Sequence, residues 1–335
     1  MAIDSARADH GDLEQLLQAL RPRNALAEYH SLAGGAGLFP QFAAVVAGLR
    51  PGMDCWIPFQ NLERFRQFVE GLRLSVSVDC AFRELPPQAR DQVIGIETLC
   101  TTHAIGVRLE DASAGDSVHA FVGVTRDVSE RLCASGWYPV VVNGRLFHKP
   151  FIDHLEFGRM LGYPACCIGF FERSNNWNRT NSYAEAHLNS GDKFDHRTNC
   201  FGKNLGYSLN FHIPCRFDCP DTIGFSSRLA EFLGRTEPEY ATACLELLRK
   251  PVLSLNEREI VVLDGVGIRE KRVRYTGSMN LFSTPEHVLG AIRDGNVVEI
   301  RGRFVVVCRD AELVEVFECR CDSFGPHVPL LIDWV

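Results

Sequence analysis

The sequence predicts an α+β protein of mixed α/β character, and three observations predict it. Apolar residues in the first third recur at helical spacing. A strand, helix, strand pattern in the middle gives way to a cysteine-rich loop and helix region. The last third alternates apolar and polar residues between turn signals. These shifts divide the chain into a helix-leaning N-terminal domain over 1–117, a cysteine-rich core over 118–250 and a β-rich unit over 251–335. The 335 residues suffice for about two domains with full hydrophobic cores.

In the first segment, "NLERFRQFVEGL" places Leu62, Phe65, Phe68, Val69 and Leu72 three and four residues apart, one face of an amphipathic helix. "ELPPQARDQVIGI" reads as a loop before another element. The "AGGAG" stretch at 33–37 lacks the Lys-Ser/Thr and the preceding strand of a phosphate loop, so it reads as a turn. From residue 118, "HAFVGVT" reads as a strand and "DVSERLCASG" as a helix closed by glycine. "YPVVVNGRLF" reads as a second strand turning at Asn143-Gly144, and the order fits a parallel pair. "FIDHLEFGRML" follows as a helix with Phe151, Leu155, Met160 and Leu161 toward a core, ended by Gly162 and Pro164. From 164 to about 233, glycine, asparagine, aromatics and five cysteines crowd into long loops, until "YATACLELLRKP" closes the region as a helix. The tail, "REIVVLDG", "KRVRYTGS" and "NVVEIRGRFVVVCRDAELVEVFECRC", reads as antiparallel hairpins.

The bulk composition excludes several classes. Apolar residues at 46% and charged residues at 23% are ordinary for a globular protein. A net charge of −7 offers no basic field for a phosphate backbone, so bulk nucleic-acid binding is not expected. The most apolar window, around 38–50, is about a dozen residues where a membrane span needs roughly 20. The opening "MAIDSARADHGDLEQLLQAL" carries acids where a secretory signal has a basic flank. A cytoplasmic protein with no membrane association is therefore expected, acting on a small-molecule substrate.

Thirteen cysteines stand out against that background, because an odd number without an export signal argues against a disulfide framework. In "LGYPACCIGFFERSNNW" (161–177), Pro164 suits the first helical position, which puts Cys166 and Cys167 in the first turn. Free amides and the helix dipole there favour thiolate, the form that binds metals. Adjacent helical residues point about 100° apart, so one of the pair is expected to be the ligand. In "NFHIPCRFDCPDTIGFSS" (210–227), Cys215 and Cys219 are separated by three residues and His212 lies three before the first. Cys166 or Cys167 with His212, Cys215 and Cys219 supplies a zinc shell. Three thiolates and an open iron supply a [4Fe-4S] cluster equally well. Cysteines that are merely buried or redox-active remain the third reading. The radical S-adenosylmethionine spacing is not met, since its third cysteine position is Thr222.

The pattern Glu-x-Gly-x2-Leu-Gly-Tyr-Pro-x-Cys-Cys-x2-Phe-Phe from Glu156 to Phe171, followed by His-x-Pro-Cys-x3-Cys from His212 to Cys219, resembles a family of archaeal and bacterial proteins of unknown function. The likeness spans about residues 118–233. It implies that the two motifs form one site, and it brings no chemistry with it.

The expected activity is that of a [4Fe-4S] metalloenzyme with an open iron, a sulfurtransferase or a lyase using Lewis-acid elimination or hydration. Cys166, Cys167, Cys215 and Cys219 are its cofactor ligands. Cys200 is a fourth ligand, resolving thiol or sulfur carrier, or simply a loop cysteine near the core. Arg216 is a carboxylate or phosphate clamp, with Asp218 beside it, and His212 a proton donor or ligand. A zinc-stabilised, non-catalytic binding module is the alternative, and a thiol–disulfide enzyme the third. Glu172 and Arg173 read as a solvated helix end, while Asn199, Asn204 and Asn210 are either substrate contacts or loop residues. Cys308, Cys319, Cys321 and His327 form a possible second site, although strand-core packing explains them too. Cys55, Cys80, Cys100, Cys133 and Cys244 read as packing residues.

Overall fold

The structure is a computed structural model that describes residues 27–33, 38–84, 104–135, 140–142, 145–147, 153–174, 182–191, 194–203, 207–256, 259–269, 271–281, 284–319 and 329–334. It is α+β, with two antiparallel sheets and a β-rich C-terminal part. Two compact units divide it, Arg23–Ile168 and one whose described part begins at Gly169. The division falls inside a single helix, Ala165–Ser174. No helix among the described residues is long and apolar enough to cross a membrane.

The first unit runs α1 (Ala27–Leu32), α2 (Phe39–Val46), β1 (Gly52–Pro58), α3 (Leu62–Gly71), β2 (Ser75–Glu84), β3 (Ala104–Val107), β4 (Ser117–Gly123), α4 (Arg126–Ser135), β5 (Val140–Val142), β6 (Arg145–Phe147) and α5 (His154–Met160). The helical spacing in α3 is realised: Leu62, Phe65 and Val69 are buried, and glutamate and arginine hold the other face. Tyr29 of α1 stacks on Phe42 of α2 at 4.2 Å and meets Phe65 of α3 at 6.2 Å. The sheet order is β1-β4-β2-β3, antiparallel throughout.

The expected parallel pair does not form in this sheet. β4 lies between β1 and β2 and runs antiparallel to both, with Trp56 opposite His119 and Ser77 opposite Phe121. The apolar residues of β4 are buried along its whole length, so it sits best at the sheet centre, where both edges find partners. β5 pairs instead with β6, antiparallel, with Val142 opposite Arg145. A Cβ on Gly123 would come within 2.6 Å of the Ser129 amide, so the glycine lets α4 start tightly against the strand. Phe82, Phe121, Leu132, Met160 and Leu161 then form a core on one sheet face, joined by Cys80, Cys133, Phe157 and Tyr163. Leu155, expected in this core, is 39% exposed, because one turn of α5 carries it round to the solvent side. The expectations for Cys100, Phe151 and "ELPPQARDQVIGI" lie outside the described residues.

Helix α6 (Ala165–Ser174) spans the division, and from Gly169 the second unit continues through α7 (Ser182–Asn189), a 3-10 turn at His196–Thr198, α8 (Pro220–Thr236) and α9 (Pro238–Leu248). The tail contributes β7 (Val252–Ser254), β8 (Ile260–Arg269), β9 (Arg272–Asn280), α10 (Glu286–Asp294), β10 (Val297–Arg301), β11 (Phe304–Arg309), β12 (Glu312–Glu318) and β13 (Leu330–Ile332). These seven strands form one sheet, ordered β12-β11-β10-β9-β8-β7-β13. Each pairing is antiparallel; short connections join β8 to β9, β10 to β11 and β11 to β12, whereas α10 lies between β9 and β10 and β13 returns from the far end of the tail to pair with β7.

Helix α10 was not legible from strand patterning. It buries Val288, Leu289 and Ile292 against Leu253, Leu263, Val273, Val298, Val305 and Val307 of the sheet. Each such side chain contributes roughly 1.5–3 kcal/mol by leaving water. The Tyr275 hydroxyl donates to the Ile292 carbonyl at 2.6 Å, fixing helix to sheet. β12 is an outer strand among the described residues. It shows Leu313 and Val316 to solvent, beside Glu312 and Glu315.

Candidate metal centre

Two local structures carry the cysteines of interest. The first is the start of α6. Proline at 164 has no amide to leave unsatisfied, while its carbonyl accepts from the amides of Cys167 (2.9 Å) and Ile168 (3.0 Å). Cys166 and Cys167 are thus in the first turn, as expected. The second is the loop entering α8, where the Cys219 amide donates to the Arg216 carbonyl (3.1 Å). The Cys219 carbonyl then accepts the first helical bond, from Ile223 (3.0 Å).

Phe217, midway between Cys215 and Cys219, anchors that loop. Its ring is fully buried, edge-on to Trp334 at 5.2 Å and near Phe201 at 5.9 Å and Phe194 at 6.1 Å. Its backbone is held on both sides. The amide donates to Ser190 Oγ (2.6 Å), and the carbonyl accepts from Thr198 Oγ1 (2.8 Å) and the Asp195 amide (2.9 Å). Asn189 Nδ2 donates to the Cys215 carbonyl at 3.1 Å. A loop with so few free backbone groups presents its sulfurs in a fixed direction.

The sulfurs of Cys166, Cys167, Cys215 and Cys219 lie within 4.8 Å of one another. This group can hold a metal ion. Both members of the adjacent pair take part: their sulfurs are 3.8 Å apart, although one alone was the expected ligand. Side-chain torsions close the angle that the helix opens between neighbouring Cβ atoms. Cys166 is exposed, Cys215 half-buried, and Cys167 and Cys219 buried, so the cluster has one sulfur at its rim and two in its floor.

The remaining candidate residues are placed elsewhere. His212 is buried, and its Nε2 lies 2.9 Å from Thr222 Oγ1. It is not among the four converging residues. Cys200 is fully buried, and burial pushes its thiol up to about 11, against the lesser opposing charge of Lys203. Such a thiol is a poor nucleophile and a packing group. Arg216 pairs with Asp218 across 3.1 Å at the half-exposed lip of the loop. Asn199 and Asn210 are buried in the loop's own bonding. Asn199 Nδ2 donates to the Leu248 carbonyl (2.9 Å), and Asn210 Nδ2 to the Arg197 carbonyl (3.4 Å). Glu172 and Arg173 are exposed, as a helix end should be. Cys319 packs against the C-terminal sheet, and burial pushes its thiol up to about 11, with the Glu259 charge adding to this. Cys321, His327 and Asn204 lie outside the described residues.

Sequence reasoning missed Phe217, Asn189 and Thr222 as parts of the site. Only Phe217 had a signal, an aromatic between two polar residues in a loop. Comparison with protein-family models, with curated proteins and with solved structures gave no match.

Proposed function

We propose that Cys166, Cys167, Cys215 and Cys219 bind one metal ion, zinc, as a closed tetrathiolate shell, and that the ion's role is to fix the loop at 207–219 onto the start of α6. The convergence of all four sulfurs carries this reading. A tetrahedral zinc with bonds of about 2.3 Å places its sulfurs about 3.8 Å apart. The Cys166–Cys167 separation already has that value. A cubane cluster caps a different iron with each thiolate and needs a wider cage. A closed shell also leaves no position for substrate, so the site is structural, and its free energy of binding is folding free energy for the loop.

One observation favours a second reading. Cys166 is exposed while Cys167 and Cys219 are buried. Were Cys166 withdrawn, three thiolates would remain for a [4Fe-4S] cluster with an iron open to a small polar substrate. Such a cluster supplies Lewis-acid or sulfur-transfer chemistry, and Arg216 at the lip would orient a carboxylate there.

Metal analysis of protein purified with and without oxygen separates the two. One zinc per chain in a colourless protein, lost in Cys215→Ser and Cys219→Ser, supports the tetrathiolate. About four irons and four sulfides in a brown protein establish the cluster instead. Full metal content in both serine variants would sink both.

A further inference from the structure

The stretch Leu161-Gly162-Tyr163-Pro164, separated from the cysteine pair by Ala165 alone, was singled out by the sequence motif, yet none of its residues is among the four converging cysteines. Their neighbour explains them. Arg50, 111 positions upstream of Leu161, is 3% exposed, and its Nε donates to the Leu161 carbonyl. Its Nη1 donates to Oε1 of the buried Gln41 at 2.8 Å, which ties the guanidinium to α2. The face of the Tyr163 ring lies 5.2 Å from the guanidinium carbon. Gly162 has φ of +70°, a conformation that costs glycine little, and a Cβ there would press on Pro51 and the Arg50 backbone at 3.2–3.3 Å. Farther along β1, the Asp54 carboxylate accepts from His119 Nε2 at 3.0 Å. Burial alone would raise the Asp54 carboxyl, but the His119 hydrogen bond and the charges of His119 and Arg50 bring it below the ordinary range. It is the anion that offsets the buried guanidinium.

We infer that Arg50 is a positioning residue for the metal centre: its fork fixes the Leu161–Tyr163 turn, and through Pro164 sets where the first turn of α6 presents the sulfurs of Cys166 and Cys167. This rests on the metal-centre reading above. Hydrogen bonds in two directions and a stacked face require the planar fork, so lysine is not an equivalent.

The test uses the full chain, with Co2+ and Zn2+ as probes. Chelator competition gives affinity, and the intensity of the thiolate-to-cobalt charge-transfer band counts bound sulfurs. Arg50→Lys is expected to weaken binding by roughly 10- to 100-fold, the range for removing an outer support of metal ligands. Its thiolate count should fall toward that of the Cys166→Ser/Cys167→Ser double variant, with secondary structure kept by circular dichroism. Gly162→Ala disturbs the same turn without touching the guanidinium, and the same loss is expected there if Arg50→Lys does not fold. A general structural role would lower stability yet leave the folded protein's affinity and four-sulfur count unchanged. That outcome, in whichever variant folds, overturns the inference. If the parent protein itself binds neither ion, the metal-centre reading fails, which is a separate result.

Discussion

Lowering the pH by one unit measures how many sulfurs hold the ion. A thiol must give up its proton to become a ligand, so each ligand protonated in the metal-free chain costs one factor of ten in affinity per pH unit. Four sulfurs converge, which sets the limiting slope of log K against pH at four. At 1.36 kcal/mol for each proton, binding weakens by about 5.4 kcal/mol from pH 7 to pH 6. A three-thiolate site loses about 4.1 kcal/mol over the same interval. Competition against a chelator of known pH dependence measures the slope. Calorimetry in two buffers of different ionisation enthalpy counts the released protons independently. Cys166→Ser is expected to reduce the slope from four to three, as the proposed tetrathiolate requires of its rim sulfur. A parent slope of three that Cys166→Ser leaves untouched refutes the closed tetrathiolate and favours the three-thiolate alternative.

Three further perturbations test the surrounding structure. Asp116 is buried, and hydrogen bonds from Arg83 (2.8 and 2.9 Å), then from Ser113, hold its carboxyl down at about 2 despite burial. A depressed folded value stabilises above the unfolded value of about 3.9 and is lost as pH falls from there toward 2. Arg83 is 44% exposed, which discounts the contribution to about 1 kcal/mol, so Asp116→Asn should lower stability by that much at pH 7 and by only a small part of it near pH 2 in denaturant titrations. Cys200→Ala should keep full metal content while costing about 1 kcal/mol of stability, and loss of metal would return Cys200 to the ligand set. Trp334→Ala removes the ring packed on Phe194, Phe201 and Phe217, and should cost about 3–5 kcal/mol. Because Phe217 fixes the cysteine loop, metal affinity should fall with it, and an unchanged affinity would uncouple the aromatic cluster from the site.

Local periodicity was enough to find α3, because Leu62, Phe65 and Val69 mark one face of ten residues. It was enough for the tail strands as well. It was not enough for α10, whose Val288, Leu289 and Ile292 sit among strands in a helix of only nine residues. Nor could it show that β4 pairs with β1 and β2, since the match of His119 to Trp56 joins residues 63 positions apart and depends on both strands being buried together. The cysteine motifs were legible as a site because thiol spacing is constrained by chemistry. That both members of the adjacent pair take part was not, since side-chain torsions decide whether neighbours on a helix meet. His212 shows the opposite hazard: three residues before a cysteine it looks like a ligand, yet its ring nitrogen faces Thr222.

Two copies of this chain that met along β12, an outer strand among the described residues, would bring one sheet edge against another. Glu312 and Glu315 stand beside the apolar Leu313 and Val316 on that rim, so each approaching strand brings carboxylates against carboxylates. Such repulsion reaches only about the Debye length, about 8 Å at physiological ionic strength and about 3 Å at 1 M salt. Colloidal stability therefore depends on the electrolyte, and concentrated brine is the condition under which this face turns adhesive.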